Sequence, residues 1–169
     1  MTQQRATGND SLYDHVGGWE GLYALVAAWY PTVLADPLLQ PLFGAGHADH
    51  VPHLTAFLAE VFGGPTQYTD QLGGFPALLA PHRGKQISEE QRQRFITLFL
   101  TAADSVGLPS DRRTRDALRD YLDFGTAAAV QNSHAATDEQ LHPCQEVPTW
   151  GWRPCVVIAG DEALPGHLL

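Results

Sequence analysis

Apolar residues recur every three or four positions along most of residues 11–132, which is the pattern of helices that bury one face. The clearest case begins near Trp19 and ends at Asp36-Pro37, because proline favours an extended conformation for the residue before it. Pro31 lies inside this helix, and we expect a kink there. No alternating pattern typical of a strand interrupts the series, so the sequence predicts an all-α fold.

Glycine and proline mark the boundaries of the neighbouring helices. Gly17-Gly18 ends a short first helix over residues 11–16, because glycine readily adopts the left-handed conformation of a helix end. A third helix starts around Asp49 with Pro52 in its first turn, where the missing N–H has no helical partner to lose. Gly63-Gly64-Pro65 ends this helix.

The second half of the helical region predicts an irregular segment followed by two long helices. Residues 66–86 are rich in glycine and proline, and only residues 77–80 indicate a helix there. Ser88 and Gln91 have the spacing of a capping box, which predicts the start of the next helix. The last long helix runs to Asn132.

The helical pattern of apolar residues ends after Asn132. We therefore divide its 169 residues into a flexible N-terminal segment at 1–10, a helical domain at 11–133 and an irregular C-terminal extension at 134–169. An apolar run at 156–158 indicates one short strand in the extension. Trp150 and Trp152 would either cover an apolar surface of the domain or mediate a self-contact.

Composition narrows the location and the partners. Ten Lys and Arg against nineteen Asp and Glu give a formal charge of −9, which disfavours binding to nucleic acid. No apolar stretch approaches the about 20 residues of a membrane-spanning helix, and the first residues lack the apolar centre of a secretory signal. We therefore expect a cytoplasmic protein without membrane contact. Cys144 and Cys155 are the only cysteines, and in a reducing compartment two free thiols are favoured over a bridge.

The histidines carry most of the candidate chemistry. His47, His50 and His53 are spaced three apart, and on a helix this spacing drifts around the axis, so all three imidazoles cannot converge on one ion. No Cys or acidic partner with ligand spacing stands nearby, which disfavours a structural zinc site. His82 stands alone at the end of the irregular segment, where composition by itself favours an ordinary loop histidine over a ligand.

The aromatic residues leave two interpretations open. Tyr30, next to Trp29 on the apolar face of its helix, needs a hydrogen-bond partner, which is either a backbone carbonyl or a ligand. The aromatics of the helices fit a plain core, and they also fit the walls of a flat apolar cofactor slot. The sequence has no Gly-x-Ser-x-Gly, no Walker-type loop and no cysteine in the helical region.

Several weak motifs in a fixed order give the sequence a resemblance to a known family. They are Gly17-Gly18, Trp29-Tyr30, Asp36-Pro37 through Phe43, Phe62-Gly63-Gly64-Pro65 with Tyr68, and His82 followed by Ile87, Arg92 and Phe95. Over roughly residues 9–133 this ordered set resembles the truncated haemoglobins, and most closely their second group. The resemblance implies a globin-like two-over-two helical sandwich that encloses haem b, iron protoporphyrin IX.

The resemblance also implies a role for each site residue. His82 would be the proximal ligand of the iron. On the other face Tyr30 and His50, with Trp29 beside them, would contact the bound ligand, and His47 or His53 are the alternatives to His50. Apolar haem contacts are expected from Phe43, Leu54, Phe57, Leu58, Leu79, Ile87 and Phe95. Propionate partners are expected among Tyr68, Arg83, Lys85 and Arg92, of which Tyr68 and Arg92 match the family best.

One departure from the family matters for the ligand side. Members usually carry a tryptophan where this chain has Phe95, so the indole donor of that tryptophan is absent and the hydrogen bonds shift to Tyr30 and His50.

The function that the resemblance implies is the binding of dioxygen, nitric oxide and carbon monoxide by a monomer or homodimer. The same groups would serve a nitric oxide dioxygenase or a peroxidase that works with a reductase. A helical His-rich metal-binding module without haem is the third interpretation.

Overall fold

Every regular element in the part of the chain that the structure describes is a helix. The structure is a computed structural model, and it describes residues 11–141 and 146–152. Within these ranges the α-helices are α1 Leu12–His15, α2 Gly18–Ala35, α3 Gln40–Phe43, α4 His50–Val61, α5 Gln67–Leu72, α6 Gly74–Leu79, α7 Glu89–Ser105 and α8 Arg112–Ser133. Two 3-10 turns cover Ala80–His82 and Asp138–Gln140. The predicted all-α class is confirmed.

The four longest helices form the core as two pairs. α2 packs against α4 and against α7, and α7 packs against α8. Their apolar faces meet around large side chains that are almost completely buried, among them Trp29, Phe62 and Phe99. This is the predicted two-over-two sandwich. In the residues described, no helix is both long and apolar enough to cross a bilayer.

Side chains at the starts of α7 and α8 cap these two helices. Ser88 Oγ accepts a hydrogen bond from the Gln91 N–H, and the Gln91 side chain accepts one from the Ser88 N–H, which confirms the capping box at the start of α7. At the start of α8, the Asp111 carboxylate accepts from both the N–H and the hydroxyl of Thr114. Pro31 lies inside α2, which continues as one helix to Ala35.

The prediction of a mostly irregular segment over residues 66–86 is wrong. α5 and α6 occupy much of it, joined at Gly73, whose positive φ of 91° lets it end one helix and begin the next. Pro76 is the third residue of α6, in the first turn, where a missing N–H breaks no helical hydrogen bond. Glycine and proline therefore act here as caps between short helices and do not exclude helix.

The described part of the C-terminal extension packs back onto the domain. The Trp150 N–H donates to the Val61 carbonyl at the end of α4, with a distance of 2.5 Å. Its ring stacks on Phe124 at 5.2 Å and meets the edge of Tyr121 at 5.7 Å. Trp152 lies under the Arg113 guanidinium at 3.9 Å. The predicted strand at 156–158 and both cysteines lie outside the described residues.

We expect Trp150→Ala to destabilise the fold by about 2 kcal/mol, less than the roughly 3–5 kcal/mol of a fully buried aromatic, because Trp150 is only half-buried. Urea unfolding measures the change. Trp19→Ala is the matched control, since Trp19 is 36% exposed and stacks only on Tyr23 among the aromatic residues described. Equal losses in the two variants would contradict the docking of the extension.

Asp111 should make stability depend on acid pH. The hydrogen bonds from the Thr114 hydroxyl and N–H, together with the one from His15, lower the pKa of Asp111 from 3.8 to about 2. Because the folded-state pKa is depressed, the carboxylate stabilises the fold above pH 3.8, and this contribution disappears as the pH falls toward 2.

Asp111→Asn keeps a side chain that can cap α8 but cannot titrate. The variant should be less stable than the wild type near neutral pH, and the difference should shrink between pH 4 and pH 2, which brackets the shift from 3.8 to about 2. Urea midpoints measured across this range test the expectation. A difference that stays constant with pH would show that the carboxylate charge has no role.

Candidate functional site

His82 ends the 3-10 turn that follows α6, and its ring is held by a backbone carbonyl. Its Nδ1 lies 2.8 Å from the carbonyl oxygen of Leu78. A carbonyl can only accept, so Nδ1 carries the proton of the neutral ring and Nε2 keeps its lone pair. Burial lowers the pKa of His82, which favours the neutral form further. A half-buried neutral imidazole with a free Nε2 has the chemistry of a metal ligand.

The loop that carries His82 is tied to the end of α8. The Gly84 N–H donates to the Ala135 carbonyl at 3.1 Å, and the Gln86 N–H donates to the Ser133 carbonyl at 3.0 Å. The Ile87 N–H donates to the Ser133 hydroxyl at 2.9 Å. Residues far along the chain therefore fix the loop, and sequence analysis missed them because no local pattern joins positions 46 residues apart.

The opposite wall of the candidate site is formed by α2 and the start of α4. The rings of Tyr30 and His50 stack with their centroids 4.5 Å apart and an angle of 2° between their planes. The Tyr30 hydroxyl oxygen accepts from the His47 N–H at 2.8 Å, so its own proton is not used in that hydrogen bond. The hydroxyl thus has a backbone partner, and it keeps a donor for a ligand.

Of the three clustered histidines, the structure places only His50 against Tyr30. The side chain of His47 is 74% exposed, and His53 is exposed on the outer side of α4. Within the described ranges no group of three or more His, Cys, Asp or Glu is arranged to hold a metal ion. This arrangement argues against an ion shared by the three histidines.

His82 influences the pKa of His50 across the site. Burial lowers the pKa of His50, and the charge that His82 would carry lowers it further. The two imidazoles are therefore close enough to interact, although they come from positions 32 residues apart in the sequence, 82 minus 50. Both are favoured in their neutral forms.

The apolar side chains that the resemblance assigns to haem contacts differ in how deeply they are buried. Three of them are buried, namely Phe57, Leu58 and Leu79. Four others are only half-buried, namely Phe43, Leu54, Ile87 and Phe95. Phe43 lies 5.4 Å from His50, ring to ring, so part of this half-covered apolar surface adjoins His50. Such a surface suits a flat apolar group better than water.

The predicted propionate partners fall into two kinds. Tyr68 is buried against Phe57, with ring centroids 5.2 Å apart, and burial raises the pKa of its hydroxyl. Arg83 pairs with Asp138 at 2.5 Å, and Lys85 Nζ donates to the Leu42 carbonyl at 2.9 Å. Both cations are exposed, so their partners can be exchanged at little cost.

Arg92 is engaged elsewhere. Its Nε donates to the Thr126 hydroxyl at 2.9 Å, Nη1 pairs with Glu89 at 2.7 Å, and Nη2 donates to the Asp123 carbonyl at 2.9 Å. The guanidinium therefore bridges α7 and α8, and this bridge disfavours the predicted contact of Arg92 with a propionate.

A second ion pair, between Asp36 and Arg94 at 2.7 Å, joins the end of α2 to α7.

Comparison with known proteins fits this geometry. The model of the bacterial-like globin family matches residues 11–132. The group 2 truncated hemoglobin YjbI of Bacillus subtilis is 33% identical over 125 residues, which are 72% of this chain and 89% of the relative.

Solved structures give the same result. The truncated oxygen-avid haemoglobin of Bacillus subtilis is 30% identical with a TM-score of 0.64, and the match covers 72% of this chain and 99% of that one. A thermostable hemoglobin of the actinobacterium Thermobifida fusca is 31% identical with a TM-score of 0.62, and the match covers 71% of this chain and 96% of that one. The chain belongs to the bacterial-like globin family, as a truncated haemoglobin of the second group.

Proposed function

We propose that this protein holds haem b and binds dioxygen and other diatomic gases between His82 and the pair formed by Tyr30 and His50. Membership of the truncated haemoglobins implies haem-based ligand binding. The observation that supports the site most directly is the hydrogen bond from His82 Nδ1 to the Leu78 carbonyl, because it leaves Nε2 free as a ligand.

The residues present fit a haem group. An iron porphyrin needs one good axial ligand and a flat apolar surface, and the half-buried apolar side chains next to His50 provide such a surface. Tyr68 and the exposed cations Arg83 and Lys85 are available for the propionates. The two cysteines do not form a Cys-x-x-Cys-His motif, so a non-covalently held haem b fits better than a covalent haem.

When bound, the haem iron supplies the coordination position for a diatomic gas. The chain itself supplies hydrogen-bond donors on the distal side. Tyr30 offers its hydroxyl proton because its oxygen already accepts from His47, and the stacked His50 offers a ring N–H. Each donor to a polar ligand contributes roughly 1 to 2 kcal/mol. The Bacillus subtilis relative is described as oxygen-avid, and two such donors support slow dioxygen release in this chain too.

Replacing the proximal histidine tests the haem site. The purified protein, supplemented with haem, should show a Soret band, and His82→Ala should lose most of it because the variant has no imidazole on that side of the site. Added imidazole should restore part of the band in the variant. His53→Ala, on the exposed side of α4, is the matched control and should keep the full band. A colourless wild-type protein, or an unchanged band in His82→Ala, would overturn the proposal.

Replacing the distal tyrosine tests gas binding. Tyr30→Phe removes one donor and should speed dioxygen dissociation by about tenfold, as roughly 1 to 2 kcal/mol of lost hydrogen bonding implies. Stopped-flow measurement of dioxygen and carbon monoxide release gives both rates. Carbon monoxide release should change much less, since that ligand is only weakly polar. Equal changes for the two gases would show that the hydroxyl acts on access and not as a donor.

A further inference from the structure

Among the described residues one buried side-chain polar atom has no hydrogen-bond partner, and it is the indole Nε1 of Trp29. The side chain is 0% exposed, so bulk water does not reach the N–H. Buried N–H groups are nearly always paired. An unpaired donor loses its hydrogen bonds to water, and no hydrogen bond within the protein offsets this loss of free energy. The unpaired indole therefore requires an explanation in the surroundings of Trp29.

Trp29 lies on the same wall as the two distal residues. Its ring centroid is 6.1 Å from that of Tyr30 and 6.2 Å from that of His50. Phe95 and Phe43 lie 4.8 Å and 6.0 Å away, edge to face. All four neighbours belong to the candidate site, and none of them gives the indole an oxygen or nitrogen acceptor.

The remaining ring contact does not supply an acceptor either. Phe99 lies 5.6 Å from Trp29 and belongs to the hydrocarbon core. The Tyr30 hydroxyl, on the neighbouring ring, already accepts from the His47 N–H. No oxygen or nitrogen acceptor for the indole is present among the described residues, and a molecule that enters the site can supply one.

We propose that the Trp29 Nε1–H is a third donor to the diatomic molecule in the site and a determinant of its specificity. The inference rests on the proposed function and deepens it. A donor favours dioxygen, which draws negative charge when it binds, over carbon monoxide, which draws little. Trp29 would thus add to the preference that Tyr30 and His50 give for the more polar gas.

A purely structural alternative makes a different prediction. The rings of Phe95 and Phe99 stand at 63° and 61° to the indole, and an N–H directed at the face of a phenyl ring forms a weak interaction. In that case Trp29 only packs. The two alternatives differ because only a donor to the ligand responds to the identity of the ligand.

Trp29→Phe separates the two alternatives, with Trp19→Phe as the matched control on the exposed start of the same helix. In the haem-loaded ferrous protein, Trp29→Phe should raise the C–O stretching frequency of the carbon monoxide complex, because the lost donor no longer weakens the C–O bond. It should speed dioxygen release about fivefold to tenfold and carbon monoxide release by less than about twofold. Trp19→Phe should change none of these.

An unchanged stretching frequency and unchanged dioxygen release in Trp29→Phe, with an intact Soret band, would overturn the inference and support the packing role. A wild-type protein without a Soret band would overturn the proposed function instead, so the two failures are distinguishable.

A second measurement uses the wild-type protein and does not depend on the folding of Trp29→Phe. The chain has four tryptophans, and Trp→Phe changes at the other three identify the Trp29 indole signal by elimination in a ¹⁵N correlation spectrum. The Trp29 indole proton should move downfield in the dioxygen complex relative to the carbon monoxide complex. Identical positions in the two complexes would overturn the inference.

Discussion

The hydrogen bond from His82 Nδ1 to the Leu78 carbonyl decides which ring nitrogen is available, and the chemistry of the site depends on that choice. If the ring turned over, Nε2 would hold the proton and Nδ1 would face the pocket from a more crowded position. The carbonyl comes from the end of α6, a region in which sequence analysis predicted helix only over residues 77–80, so this short helix is the element that orients the ring. The local backbone structure of α6 therefore determines which nitrogen of His82 can bind a ligand.

In the wall formed by Tyr30 and His50, too, one polar group serves both the fold and the candidate site. The Tyr30 hydroxyl serves the fold by accepting from the His47 N–H and still keeps a proton to donate. His50 begins α4 and lies flat on Tyr30, so the start of one helix sets the position of a ring on the other. Burial lowers the pKa of both histidines, which favours their neutral forms in this apolar region.

Sequence analysis predicted the long helices well because their signals are local. Apolar periodicity and the capping box of Ser88 and Gln91 act within a few residues, and the structure confirms both. It failed over residues 66–86, where Gly73 is a cap shared by two helices and was interpreted as a break. The position of His50 against Tyr30 followed from the ordered motifs, but residue spacing alone left His47 and His53 open. The ties of Ser133 to Ile87 and of Asp36 to Arg94 span 46 and 58 residues, and no single segment carries such information.

The loop after His82 is held by residues that lie beyond the part of the chain that matches the family. The family match stops at residue 132, yet the loop takes its backbone partners from Ser133 and Ala135. A chain shortened to the matched residues would keep the helices of the sandwich except the last residue of α8, Ser133, and would lose the acceptors that hold the loop after His82. The first residues beyond the family match are thus part of the support of the loop after His82, and a shortened version of this protein that keeps the candidate site intact has to include them.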